Sequence, residues 1–183
     1  MNVTIVIVGL LAVAIGGTML IYNRLVRLRN QTRTAWADVD VQLTRRHDLI
    51  PQLVATVEGY ADHERAALQL VTELRARAMS LDSPAHLGEV ESALEKAVGQ
   101  VLLLKEAYPD LQASESFLQL QRDLVEVEDT LQYARRFYNG AVRDYNNAVQ
   151  RVPDLLVARL CGFGGGEFFQ AQAAERPAVE VEL

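Results

Sequence analysis

His63-Glu64 is the pair in this chain closest to enzyme chemistry. A metal-binding helix of the H-E-x-x-H kind needs a second His four residues on, so that both imidazoles share one face. That position holds Ala67. Asp38, Tyr60, His63 and Glu64 would form a polar site if the chain turned back near Asp48, setting Glu64 opposite Arg33-Thr34 and Asp38 opposite Tyr60. The same residues serve equally as a polar contact that fixes helix register. The chain has three His and one Cys, with no His/Cys pair at ligand spacing, so no metal site is expected. Arg45-Arg46-His47-Asp48 reads either as a docking patch for an acidic partner or as a solvated helix end. No second basic cluster adjoins it, which favours the helix end, where cations suit the negative pole. Arg135-Arg136 are expected to pair with acids such as Asp38 or Asp129. Ser114 and Ser116 lie at a helix start, where Ser caps. Cys161 borders a Gly-rich loop without the Lys of a phosphate cradle, and is expected to be a small buried or inert thiol. The reading is a protein without catalytic residues or cofactor. Its rival is a metal-binding sensor or enzyme around His63 and Glu64.

The element that positions everything else is an uncharged run from Val3 to Tyr22. Twenty residues of helix rise about 30 Å, the thickness of a bilayer's hydrocarbon core. The run lacks the basic start and small-residue cleavage site of a signal peptide, so it is expected to be a membrane anchor. Gly9, Ala12 and Gly16 share one stripe, which would admit a second membrane helix in a homo-oligomer, although small residues are common in such helices. Arg24, Arg27, Arg29 and Arg33 follow with no acid among them. The positive-inside rule then predicts an outside N-terminus and a cytoplasmic body at the inner membrane. Anionic lipid would favour each Arg by about 1 kcal/mol. The net charge of −6 argues against nucleic acid as a partner.

Beyond residue 23 the apolar positions recur at steps of three and four. The longest series runs from Phe117 through Leu124, Leu131, Tyr138 and Tyr145 to Val152. Others run from Leu87 to Tyr108 and from Leu53 to Leu81, the last interrupted only by Glu64. Asp48 and Pro51, Ser83-Pro84, Tyr108-Pro109-Asp110 and Val152-Pro153 punctuate them. The spacing predicts an all-α protein: four soluble helices over 24–47, 49–80, 84–108 and 111–151, packed as an antiparallel up-and-down four-helix bundle after the transmembrane helix. The division is an anchor over 1–23, a bundle over 24–160 and a flexible Gly/Phe tail over 161–183. One mismatch arises, because helix 4 would outrun helix 1 by about 25 Å. A bend at Asn139-Gly140 is preferred to the alternative, a first helix that continues through Pro51 and turns near Glu58-Gly59.

The up-and-down path returns the chain to the membrane side. Phe163, Phe168 and Phe169 therefore start beside the anchor, as candidate contacts with a partner or with the bundle. The alternating Val179-Glu180-Val181-Glu182-Leu183 suits addition to a partner's sheet edge.

The runs Tyr22-Asn23-Arg24-Leu25-Val26, Ala35-Trp36-Ala37-Asp38-Val39-Asp40-Val41-Gln42-Leu43, Arg45-Arg46-His47-Asp48-Leu49-Ile50-Pro51 and Gly59-Tyr60-Ala61-Asp62-His63-Glu64 resemble the LemA family over nearly the whole chain. So do Tyr108-Pro109-Asp110-Leu111, Ala134-Arg135-Arg136-Phe137-Tyr138-Asn139, Tyr145-Asn146 and the Gly162-Phe163 to Phe168-Phe169 segment. The resemblance implies a bacterial protein with one N-terminal membrane helix, an N-terminus outside the cytoplasm and an antiparallel helical body. It implies no catalytic residues or cofactor. The combined expectation is a membrane-anchored scaffold or adaptor, with the bilayer and an unidentified membrane or cytoplasmic protein as partners.

Overall fold

The structure is a computed structural model that describes residues 2–61 and 63–169. The described secondary structure is entirely helical: α1 (Asn2–Glu58), α2 (Arg65–Ala78), α3 (Pro84–Leu103), a 3-10 turn (Leu104–Glu106), α4 (Pro109–Gln112), α5 (Glu115–Gln150) and α6 (Asp154–Leu160). The alternating Val-Glu segment at 179–183 lies outside the described residues. The chain divides into two compact units. One comprises α1 through Asp38 with Arg136–Gly166; the other comprises Val39–Arg135 with Glu167, Phe168 and Phe169.

The first correction concerns α1. The expected helix 24–47 does not end at Asp48, because α1 continues through Pro51 to Glu58. Proline has no N–H, so the carbonyl of His47 loses its helical donor. Arg75 Nε supplies the replacement, donating to the His47 carbonyl oxygen at 2.7 Å. The apolar stripe also runs straight through, with Ile50, Leu53 and Val57 all buried. The expected helix 49–80 is therefore two pieces, and the turn falls after Gly59. There Tyr60 N and Ala61 N both donate to the Val57 carbonyl at 2.9 Å, and α2 starts at Arg65. The part of α1 after residue 23 now matches α5, which has 36 residues. The length mismatch disappears, and α5 is a single helix through Asn139-Gly140.

The unit around α2 and α3 has an apolar core. α1 supplies Ile50, Leu53 and Val57; α2 supplies Leu68 and Val71; α3 supplies Leu94, Ala97, Val98 and Val101. Leu111 of α4 with Phe117 and Leu124 of α5 complete it. The helix starts follow local chemistry. Ser114 Oγ accepts from Phe117 N at 3.4 Å, the cap expected of it. Pro84 and Pro109 occupy first turns, where the absent N–H costs nothing. Ser83 does not cap α3 with its side chain and instead donates to Glu167 Oε2 at 2.8 Å.

In the other unit, the start of α1 carries exposed Val, Ile and Leu all round and is long and apolar enough to cross a membrane. Past Tyr22 the helix becomes amphipathic. Leu25 is buried with Tyr145, Ala148 and Val149 of α5 and Val157 and Ala158 of α6, and Ile21, Val26 and Leu28 pack against that cluster. Further along, Trp36 meets Tyr138 with ring centroids 5.1 Å apart. The short helix α6, reached through a cis Val152-Pro153 bond, is an element that the sequence reading lacks.

Candidate interaction site

At the root of the apolar segment, the four Arg expected to flank the membrane occupy different settings. Arg27 and Arg33 are exposed. Arg24 is half-exposed and donates through Nη1 to Asp154 Oδ2 at 2.8 Å, an acid that is itself buried. Arg29 lies over the Phe163 ring, 4.9 Å from its centroid. Tyr22 meets the same ring edge-on at 5.6 Å. Phe163 is thus buried between the last residue of the uncharged run and a basic residue two turns later. Its backbone is set by Gly162, whose φ of +69° is the left-handed conformation a helix C-terminus favours in glycine. Phe163 N returns to the Ala158 carbonyl at 2.9 Å, closing α6. The loop then follows α5, where Asn146 holds Gly166 by two hydrogen bonds: Nδ2 to the Gly166 carbonyl at 3.0 Å, and Gly166 N to Oδ1 at 2.7 Å.

The other two aromatic tail residues belong to the α2–α3 unit. Phe169 is buried, with the Arg135 guanidinium 5.0 Å from its ring centroid. Phe168 is 37 % exposed. Cys161, the C-cap of α6, is exposed, which leaves the inert rather than the buried thiol of the two expected.

The α2–α3 unit contains a charged cluster in its interior. Arg46 and Glu91 are almost wholly buried and form an ion pair, Nη2 to Oε2. Arg46 Nη2 also meets the Glu91 carbonyl at 3.3 Å, and Nη1 donates to Glu128 Oε2 at 2.8 Å. His47 Nε2 lies 2.7 Å from Glu91 Oε1. An ionised carboxylate only accepts, so this contact puts the neutral imidazole's proton on Nε2. Arg135 Nη1 extends the cluster to Glu95 at 3.5 Å and Glu128 at 3.6 Å. Burial lowers Arg46 to about 10, partly offset by the Glu128 charge, so it remains a cation at neutral pH. Burial, then the charges of Arg46 and Arg75, lower His47 to about 4, so it remains neutral there.

Arg46 and His47 are not a solvated helix end but the buried centre of the unit, because α1 continues past them. Arg135 pairs with Glu95 and Glu128 rather than Asp38 or Asp129. The His63/Glu64 arrangement also changes. The pairing with Arg33 and Asp38 rested on a turn near Asp48, and the turn lies after Gly59. His63 is exposed, while Glu64 Oε1 accepts from the Tyr108 hydroxyl at 3.4 Å. Glu91, which no motif marked, is the cluster's central acid. Its signal was position: with Leu87, Leu94 and Val98 it lies on the buried face of α3.

Among the described residues, an all-helical body continuous with a helix long and apolar enough to cross a membrane fits a membrane-associated helical protein. The chain belongs to the LemA family, whose model matches residues 35–183. It is 26 % identical to Protein LemA of Metamycoplasma hominis, covering 87 % of this chain and 73 % of that one. It is 24 % identical to Magnetosome protein MamQ 2 of Paramagnetospirillum magneticum, covering 97 % and 76 %. Magnetosome protein MamQ of Magnetospirillum gryphiswaldense is 22 % identical, covering 88 % of this chain and 68 % of the relative.

Proposed function

We propose that this protein is a single-pass, non-enzymatic scaffold or adaptor that holds protein partners at the cytoplasmic face of a bacterial inner membrane. The observation that carries the reading is the continuity of α1. One helix passes from an exposed apolar stretch into the buried stripe of Leu25, Ala35, Val39, Leu43, Ile50, Leu53 and Val57. The body is an antiparallel up-and-down four-helix bundle of α1, α2, α3 and α5, a reading supported by the apolar core these helices share with α4. Family membership supports a membrane-associated role. The Arg run after Tyr22 supports an outside N-terminus, and Phe168 is the candidate partner contact in the tail. The bilayer and a membrane or cytoplasmic protein are its partners, and nucleic acid is not.

The test is photo-crosslinking in native membranes from residue 168, with a second photoreactive position at exposed Leu103 as reference. The expected result is a discrete protein adduct from residue 168, identified by mass spectrometry and lost when unlabelled protein competes. Equal background adducts from both positions would remove the tail as a partner contact. Adducts only between copies of this chain would replace the adaptor reading with a homo-oligomer.

A further inference from the structure

α6 has two faces. Asp154, Val157 and Ala158 are buried, and Val157 and Ala158 join the cluster around Leu25. On the other face Leu156 is 62 % exposed and Leu160 86 % exposed. Val152, one turn earlier in the chain, is 69 % exposed. These three positions recur every four residues, which places Leu156 and Leu160 one above the other on the helix. A bundle surface in water has no use for such a row, and the helix is too short to be stable without a partner for its faces.

Its place on the molecule indicates what covers it. Asp154 is tied to Arg24, Phe163 at the end of α6 touches Tyr22, and Ile21 packs against the cluster that holds α6. α6 is therefore fixed alongside residues 21–24, where the uncharged run gives way to the first Arg. In a spanning helix that is the level of the headgroups. The charge agrees. Residues 1–37 contain four Arg and no acid, and Asp154, already paired, is the only acid between 151 and 166. Arg151 and Arg159 are exposed beside the apolar row. Apolar residues flanked by Arg at the headgroup level have the composition of an interfacial helix.

We propose that α6 is a second membrane contact: its Leu156/Leu160 face, extended by Val152, rests on the bilayer that α1 enters, with Arg151 and Arg159 against anionic headgroups. The proposal rests on the reading of α1 as a membrane anchor. It makes the attachment two-footed, so that the first unit is held against the lipid surface rather than pivoting on a single helix.

The full-length chain is tested in vesicles of phosphatidylethanolamine and phosphatidylglycerol. Nitroxide labels are placed one at a time, in a Cys161→Ser background, by Val13→Cys, Leu103→Cys, Leu156→Cys and Leu160→Cys. All four native residues are exposed, so none of the labels disturbs a core. The readout is the ratio of collisions with oxygen to collisions with a water-soluble nickel chelate. The expected ratios at 156 and 160 are several-fold above that at 103 and approach that at 13. Ratios at 156 and 160 equal to that at 103, with 13 high, would overturn the proposal and leave the anchor standing. A low ratio at 13 as well would remove the anchor and the proposal together. Spin–spin broadening at 160 with an aqueous ratio would put a second copy on this face and overturn the proposal.

Discussion

Glu91 has no exposed surface and meets both Arg46 and His47. A buried ion pair of this kind adds little net stability over apolar packing, but removing one partner leaves an uncompensated charge at a cost of about 3–5 kcal/mol. His47 adds a dependence on pH. Its pKa is about 4 in the folded chain against 6.5 unfolded, so the unfolded state takes up the proton first. Stability from this group is fully present above pH 6.5 and is lost as pH falls toward 4. Burial sets this behaviour first, then the charges of Arg46 on α1 and Arg75 on α2, with Asp48 opposing them. Denaturant unfolding in detergent should therefore show a larger loss between pH 7 and 4 for the wild type than for His47→Gln. Parallel curves for the two proteins would assign the acid sensitivity to other groups.

Much of the helical content was legible because apolar residues at steps of three and four mark buried faces, as Phe117, Leu124, Leu131, Tyr138 and Tyr145 do along α5. The end of α1 near Glu58-Gly59 was legible only as the less favoured of two readings, for a definite physical reason. Asp48 and Pro51 form a good local start signal, whereas what carries the helix through them is the Arg75 side chain, 28 positions beyond the His47 carbonyl it meets. The spacing of Arg46, Ile50, Leu53 and Val57 already continued the stripe, but a charged Arg concealed it. The buried ion cluster was hidden in the same way, since Arg46 and Glu91 resemble surface residues until helices bring them together. α6 leaves no mark in the sequence pattern because seven residues are too few for periodicity to register. The bridge across Pro51 can be measured. Arg75→Ala should leave the His47 carbonyl without its donor and cost about 2 kcal/mol. In a Pro51→Ala background the helix regains its own N–H, and the same Arg75→Ala change should cost clearly less. Equal costs in both backgrounds would mean that Arg75 stabilises by charge or packing instead.

For the chain as a whole, the uneven charge matters more than its total. Net charge is −6, yet the first acid is Asp38, and four Arg precede it. Placing positive residues directly after an apolar helix holds them on the cytoplasmic side during insertion. Neutralising all four weakens that bias, and the anionic surface contributes about 1 kcal/mol for each Arg near it. Leu103→Cys in a Cys161→Ser background reports orientation without touching the anchor, since Leu103 is exposed in the α2–α3 unit. In spheroplasts, a membrane-impermeant maleimide should leave this cysteine unlabelled until the cells are broken. With Arg24, Arg27, Arg29 and Arg33 all changed to Gln, a fraction should become labelled before lysis. Full labelling of the unaltered Arg protein in intact spheroplasts would reverse the orientation and place the α2–α3 unit on the outer side. Arg24→Gln alone separates insertion from folding, because it also removes the partner of buried Asp154. It should lower thermal stability while leaving the labelling pattern unchanged.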